Sequence, residues 1–540
     1  MLIYLIILLM LIIYDLTLNY NIFRNMSKVK ILWIDDQIDL LKSHIIFLNE
    51  RNYHIHTCTN GNDALEMISN QRYEIILLDE NMPGLSGIET LKRIKKLDRN
   101  LKVIMITKNE EENIMEQAIG REISDYLIKP VNPNQILLSL KKNLKNKEFV
   151  KDSNISEYQQ EFRTLSINMM NISSWEEWTD FYLELTEWEL KLSEIDDDTM
   201  IQILNNQKSE SNSLFSKFIE KNYESWIKGI NSPTLSNQLI ERFLIKELDK
   251  KPIIFIVIDN LRYDQWRIIE PSILEFYNKE NELPYFSILP TTTQYARNSL
   301  FSGLMPKEIK DKFPQYWKDD HEEGGKNLFE FELLEKNLNK LNLINLKHEY
   351  HKITNIKNGV KLSNNLKQSL QNDLTTIVYN FVDMLSHSKT EMEMIKELAA
   401  NDKAYRSLTN SWFINSPLFE IIKNAGSLGF KLIITTDHGT INVKNPTKII
   451  GDRNTSQNLR YKTGRSLTCS EKDNLIYNNP HDILLPKTSI NSSFVFAKED
   501  FYMVYPNNFN HFSKYFRNTY QHGGVSMEEM IIPFITLSPK

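Results

Sequence analysis

Cysteine is nearly absent: Cys58 and Cys469 are the only two in 540 residues. They lie far apart and fit no CxxC pattern, which excludes a disulfide framework and fits a reducing compartment. Glycine and proline are also scarce, at 16 and 17, and no internal repeat is visible. Basic excess is missing too. The formal net charge of −6 gives no global electrostatic reason to bind DNA, although a local basic patch would not register in it. Long apolar runs are lacking except at the start. "MLIYLIILLMLIIY" is uncharged until Asp15, yet it is shorter than the roughly 20 residues a spanning helix needs. It also lacks the basic n-region and small-residue cleavage site of a secretory signal. Met26 opens "MSKVKILWIDD", which reads as a natural start. Residues 1–27 are therefore read as an apolar extension, a mis-assigned start or a weak anchor, and the rest as cytoplasmic.

What is present is ordinary for globular protein: 41% apolar and 25% charged residues. The length predicts two to four domains.

From 28 to 147, five apolar runs alternate with amphipathic stretches. The runs are "KILWID", "YHIHTC", "YEIILLD", "KVIMIT" and "DYLIK". This alternation predicts a parallel sheet with helices on both faces. Asp35 and Asp36 close the first run, Asp79 the third, Thr107 the fourth and Lys129 the fifth. All five positions fall on one rim of the sheet. Three carboxylates repel one another unless a cation joins them, and hard oxygen ligands suit Mg²⁺. A lysine and a hydroxyl opposite them could hold a phosphoryl group. The competing reading is polar strand ends around a structural salt bridge.

The segment resembles a response-regulator receiver, of flavodoxin-like fold. The resemblance implies that Asp79 is the phosphoacceptor, with Mg²⁺ held by Asp35, Asp36, Asp79 and the carbonyl of Asn81. Thr107 and Lys129 would grip the phosphoryl oxygens, and Tyr126 would be the aromatic switch.

From 148 to 248 the spacing predicts a helical bundle linker. Trp175, Trp178 and Trp188 form an aromatic stripe that is expected to be core rather than a base-stacking face. "PTLSNQLIERFLIKEL" adds a helix with a cap near Ser232. No helix-turn-helix stands out, so sequence-specific DNA binding is not expected.

From 249 to 540, "PIIFIVIDN" reads as a central parallel strand ending at Asp259. "TTIVYNFVDMLSHS" supplies Asp383 and His387, "KLIITTDHGT" Asp437 and His438, and "YQHGG" His522. Ligands of open α/β sheets gather outside the carboxyl ends of strands, so each of the six could reach one rim. Three carboxylates and three imidazoles suffice for two metal ions, and mixed ligation favours Zn²⁺. Two metals roughly 4 Å apart would clamp an in-line phosphoryl transfer. "LPTTTQYARNSLFSGL" offers threonine hydroxyls as the nucleophile.

This pattern resembles the alkaline phosphatase superfamily, in its nucleotide pyrophosphatase/phosphodiesterase branch. The resemblance implies an α/β sandwich with Thr293 as nucleophile and as a ligand of the nearer metal. Asp383, His387 and His522 would hold one zinc, and Asp259, Asp437 and His438 the other. Asp264 lies outside that pattern. Basic residues follow the Asp-His pair (Lys444, Lys448, Arg453, Arg460, Lys462 and Arg465) and are read as a lid over a phosphate-bearing substrate, with Arg297, Arg460, Lys462 and Arg465 as the substrate-phosphate contacts.

The whole order resembles the PorX-type response regulators with a PglZ domain. It implies a phosphorylated regulator with a zinc-dependent phosphodiesterase output, linked to type IX secretion. The expected partners are a sensor histidine kinase, an ECF-type sigma factor, a secretion-motor protein, a second copy on phosphorylation, and an oligonucleotide or cyclic nucleotide substrate. The alternative is a non-catalytic regulator whose phosphatase-like domain only docks those partners.

Overall fold

The computed structural model describes residues 29–51, 53–98, 100–107, 123–193, 198–248, 252–399, 401–452 and 455–540. The N-terminal extension and Arg453 lie outside them. Chain contacts divide into two compact units, one ending at Ser156 and one spanning Glu157–Lys540. Among the described residues no helix is long and apolar enough to cross a membrane.

The first unit holds a five-stranded parallel sheet. Its order is Tyr53–Cys58, Val29–Ile34, Ile75–Asp79, Lys102–Thr107 and Asp125–Ile128. Strand residues alternate faces with a period of two, and both faces here are apolar. Leu32, Ile34, Ile76, Leu78, Val103 and Met105 pack one way against Leu91 and Ile94. Ile31, Trp33, Ile75, Leu77, Ile104 and Ile106 pack the other way against Ile136 and Leu140. With both faces buried, the carboxyl edge is the place left for polar chemistry. The helix Gly87–Leu97 starts beside that edge with a Ser86–Glu89 capping box. Gly87 has no room for a side chain, because a Cβ there would sit 2.3 Å from the Asp79 carbonyl oxygen.

In the second unit the helices Trp175–Ser193 and Asp198–Ile227 form the linker bundle. Trp178 and Trp188 are buried, so the aromatic stripe is core. Trp175, Phe215 and Trp226 all meet Phe286 of the sheet domain. The bundle therefore shares its core with that domain. The expected helix after Ser232 is one continuous helical run, Ser236–Glu247, whose hydrogen bonding passes from 3-10 to π and back to 3-10.

The main sheet has six strands, ordered Tyr277–Phe286, Ile531–Pro539, Lys431–Thr435, Ile253–Ile258, Leu374–Tyr379 and His348–Ile353. Ile253–Ile258 lies parallel between Lys431–Thr435 and Leu374–Tyr379, as its unbroken apolar run requires. These three strands point their carboxyl ends the same way. The expected basic lid is largely sheet: Ile441–Val443, Asn445–Ile450 and Tyr461–Arg465 are strands.

Candidate functional site

At the receiver rim, Asp35, Asp36 and Asp79 each offer an oxygen, and those atoms lie within 4.8 Å of one another. Lys129 Nζ sits 3.0 Å from Asp35 and 2.9 Å from Asp79. Burial raises the Asp79 carboxyl; Lys129 pulls it back and Asp35 pushes it up again. A cation there would relieve the crowding. Thr107 is buried and donates to Glu80, while Tyr126 is 52% exposed and points outward.

In the second unit, six residues from four segments meet. Asp259 follows the central strand, and Asp437 and His438 follow its neighbour. Their ligand atoms lie within 4.8 Å of one another. Asp383, His387 and His522 form a second group of the same size. His387 lies one helical turn past Asp383 on Phe381–Glu391, the i,i+4 spacing that puts two side chains on one face. Asp383 Oδ1 is 3.5 Å from both His387 Nε2 and His522 Nε2. His438 and His522 stack at 4.4 Å between ring centres, so the two groups adjoin.

Thr293 stands between acceptors. Its Oγ1 is 3.2 Å from Asp259 Oδ1 and 3.2 Å from His438 Nε2. It opens a single π-helical turn, Thr293–Arg297, a local irregularity that is frequent at functional sites. Thr293 stays partly exposed while Thr291, Thr292 and Gln294 are buried. Asn327 Nδ2 donates to its carbonyl at 2.9 Å.

The ionisation states follow from burial and neighbours. Burial beside Asp259 pushes Asp437 up to about 8. Asp259 is also raised by burial, against the pull of Arg297. Burial opposes charge on Asp383, but His522, His387 and His438 outweigh it and hold the carboxyl low. Burial and His522 keep His438 neutral.

The donor set fits two cations. Among the described residues Asp437 Oδ2 and Asp383 Oδ1 are buried with no hydrogen-bonded partner, a costly state unless something else meets them. His438 Nδ1 is 3.0 Å from the Gly439 carbonyl and His522 Nδ1 is 3.3 Å from that of Thr291. Both contacts place the proton on Nδ1 and aim the Nε2 lone pair at the carboxylates.

The sequence comparisons agree with this layout. The receiver-domain family model matches residues 31–141, and the model of the PorX response regulator linker domain matches residues 148–227. The model of the BREX system PglZ alkaline phosphatase-like domain matches residues 235–537, more than half of the chain. The chain belongs to the PglZ family, in its PorX-type arrangement. It is thus a two-component response regulator with a receiver and a PglZ phosphatase-like domain.

Relatives of the receiver part include sporulation initiation phosphotransferase F of Bacillus subtilis. It is 33% identical over 22% of this chain and 96% of its own length. The transcriptional regulatory protein CpxR homolog of Haemophilus influenzae is 36% identical over 21% of this chain and 48% of its own. Apart from the phosphotransferase, the chain spans about half the length of such curated relatives. A receiver-domain protein from Methanospirillum hungatei is a similar solved structure. It is 28% identical, covers 23% of this chain and 98% of its own, and has a TM-score of 0.22.

Three of the four expected phosphate contacts of the PglZ domain are placed elsewhere. Arg297 is buried under the centre, 2.8 Å from Asp259, with its Nε donating to Glu330 at 2.6 Å. Its guanidinium pairs with Asp259, Asp437 and Glu330 and is closed off from solvent. Arg460 is fully buried against Glu529, which also accepts from Gly524 N at 2.9 Å. It braces the turn after His522. Lys462 is buried and donates to the Ser456 carbonyl at 2.8 Å. Arg465 alone is exposed. Glu330 and Glu529, which hold two of these cations, had no signal in the sequence: each sits in an ordinary helical pattern far from its partner.

Proposed function

We propose that the chain is a phosphorylation-controlled phosphodiesterase or phosphatase acting on nucleotide-type substrates. Asp79 is its acceptor for a phosphoryl group from a sensor histidine kinase, with Mg²⁺ at Asp35, Asp36, Asp79 and Asn81. Asp383, His387 and His522 hold one Zn²⁺; Asp259, Asp437 and His438 hold the other beside Thr293. The single observation that carries this reading is Thr293. It is the one partly exposed hydroxyl of its run, set between Asp259 and His438 at the meeting point of both groups.

Two bound cations would lower the pKa of the Thr293 hydroxyl and neutralise charge developing on the phosphoryl oxygens. The chain's own residues do the rest. Asp259 accepts from the Thr293 hydroxyl and fixes its oxygen, with the His438 ring 3.2 Å away on the other side. That oxygen bonds to phosphorus as the ester oxygen departs and takes up a proton. Water then cleaves the threonyl phosphate, releasing a phosphate monoester and restoring the hydroxyl. Arg297, itself paired with Glu330, draws the Asp259 carboxyl down against its burial. The PorX linker match supports the further reading of a link to type IX secretion, through an ECF-type sigma factor and a secretion-motor protein.

The test combines metal analysis of the purified chain with hydrolysis of bis(p-nitrophenyl) phosphate. Two zinc ions per chain are expected. Thr293→Ala should lower kcat by at least about 10³-fold, the order seen when a catalytic group is removed, with zinc retained. Thr293→Ser should keep part of the activity. A chain that binds no transition metal, or a Thr293→Ala enzyme of full activity, sinks the reading. For the receiver, Asp79→Ala should abolish Mg²⁺-dependent labelling by acetyl phosphate.

A further inference from the structure

Asp264 is unused by this mechanism, yet it lies at the middle of a buried chain of charges. Glu189 of the linker helix Trp175–Ser193 accepts from Arg406 at 2.6 Å. The same Arg406 nitrogen donates to Asp264 at 3.0 Å. Asp264 accepts from Arg262 Nε at 2.8 Å, and Arg262 Nη1 donates to Asp402 at 3.0 Å. Asp402 accepts from the Tyr520 hydroxyl at 2.7 Å. Tyr520 is two residues before His522, and its ring stacks on Tyr405 at 3.9 Å. Tyr405 in turn meets Ser386, on the helix that carries Asp383 and His387.

A second branch leaves the same glutamate. Lys208 bridges Glu189 at 2.6 Å and Glu528 at 3.6 Å. Asn212 of the linker helix Asp198–Ile227 donates to Glu528 at 2.9 Å and accepts from Met527 N at 2.9 Å. Glu528 backs directly onto Gly439, where a Cβ would lie 1.9 Å from the Glu528 carbonyl oxygen. Gly439 follows His438.

Arg262, Asp264 and Arg406 are at most 6% exposed as side chains. Buried ion networks are a poor source of stability, since desolvation offsets the attraction; fixing one geometry is what such a network can add. Both branches begin on the linker and end at a segment carrying metal-ligand candidates.

We propose that this network is how the linker bundle positions the two ligand segments, with Glu189 and Asn212 as positioning residues that set metal affinity without touching metal. A shift of the linker helices would then loosen the His522 and His438 segments together, and the linker becomes the input through which the centre is controlled. The inference rests on the reading of those segments as zinc ligands.

The test measures Zn²⁺ affinity of the full chain by competition with a fluorescent chelator, with no substrate present. Glu189→Gln should weaken zinc binding by about 10-fold or more. Amide exchange across residues 520–524 should quicken in the same variant. Should Glu189→Gln fold poorly, the apolar pair Glu189→Leu with Arg406→Leu removes both charges at one contact; it should show the same affinity loss in folded protein. Zinc held equally by the wild type and by every folded variant overturns the proposal and leaves the metalloenzyme reading standing. A wild-type chain that takes up no zinc overturns both.

Discussion

Thr293 owes its place to the two threonines before it. Thr291 accepts from Gly523 N and donates to the Gly524 carbonyl, each at 3.0 Å, and so pins the turn after His522. Thr292 caps the π-helical turn in an extended conformation. Three identical residues thus take three roles, separated by their partners and, for Thr293, by exposure. The same lesson applies to Lys462. Burial pulls its ammonium down to about 8, against roughly 10.4 in an unfolded chain. Below pH 8 both states are charged, and the folded one carries the full desolvation cost. Between about 8 and 10.4 the unfolded state binds more protons, so stability rises with pH across that window. Lys462→Met should therefore raise Tm at pH 7 by roughly 3 °C or more and flatten that rise, as read by differential scanning fluorimetry. A phosphate-binding Lys462 would instead show an increased KM with unchanged Tm.

Elements place the chemistry by where they stop. The central strands are apolar through their length because both faces are covered, and they release polar residues at a common edge: Asp259 on one, Asp437 and His438 on the next. In the receiver, Asp79 ends its strand with Gly87 packed on its carbonyl. This close packing has a consequence for Gly439, whose missing side chain lets Glu528 approach. Gly439→Ala forces two backbone segments apart. It should cost about 1–3 kcal/mol, the usual scale of overpacking, and weaken zinc binding at His438. Chemical denaturation beside zinc titration checks both. The helical run Ser236–Glu247 was predictable from its spacing, whereas the π turn inside it was not. At the start of the run Ser236 Oγ accepts from Ile288 N at 3.1 Å, a tertiary contact that local spacing cannot reveal.

At the scale of the whole molecule, a receiver in one unit and a phosphatase-like centre in the other need a bistable element to communicate. The proposed one is pairing of receivers once Asp79 is phosphorylated, with Thr107 and Tyr126 as the switch. Coupling of about 1–3 kcal/mol corresponds to a shift of roughly 5- to 150-fold. Sedimentation velocity with beryllofluoride, beside a diesterase assay, should show heavier species and altered activity; unchanged mass and rate would uncouple the ends. The sequence by itself determined the three-part order, the sheet strands and the acids and imidazoles at their ends. Those follow from periodicity and from residue type at a strand terminus, which are local properties. Only the tertiary structure decided which cations are spent. Arg297 and Arg460 read as phosphate contacts in the sequence because Glu330 and Glu529 are distant along the chain. A charge's role depends on its burial and its partner, and both are settled by what the fold brings within about 3 Å.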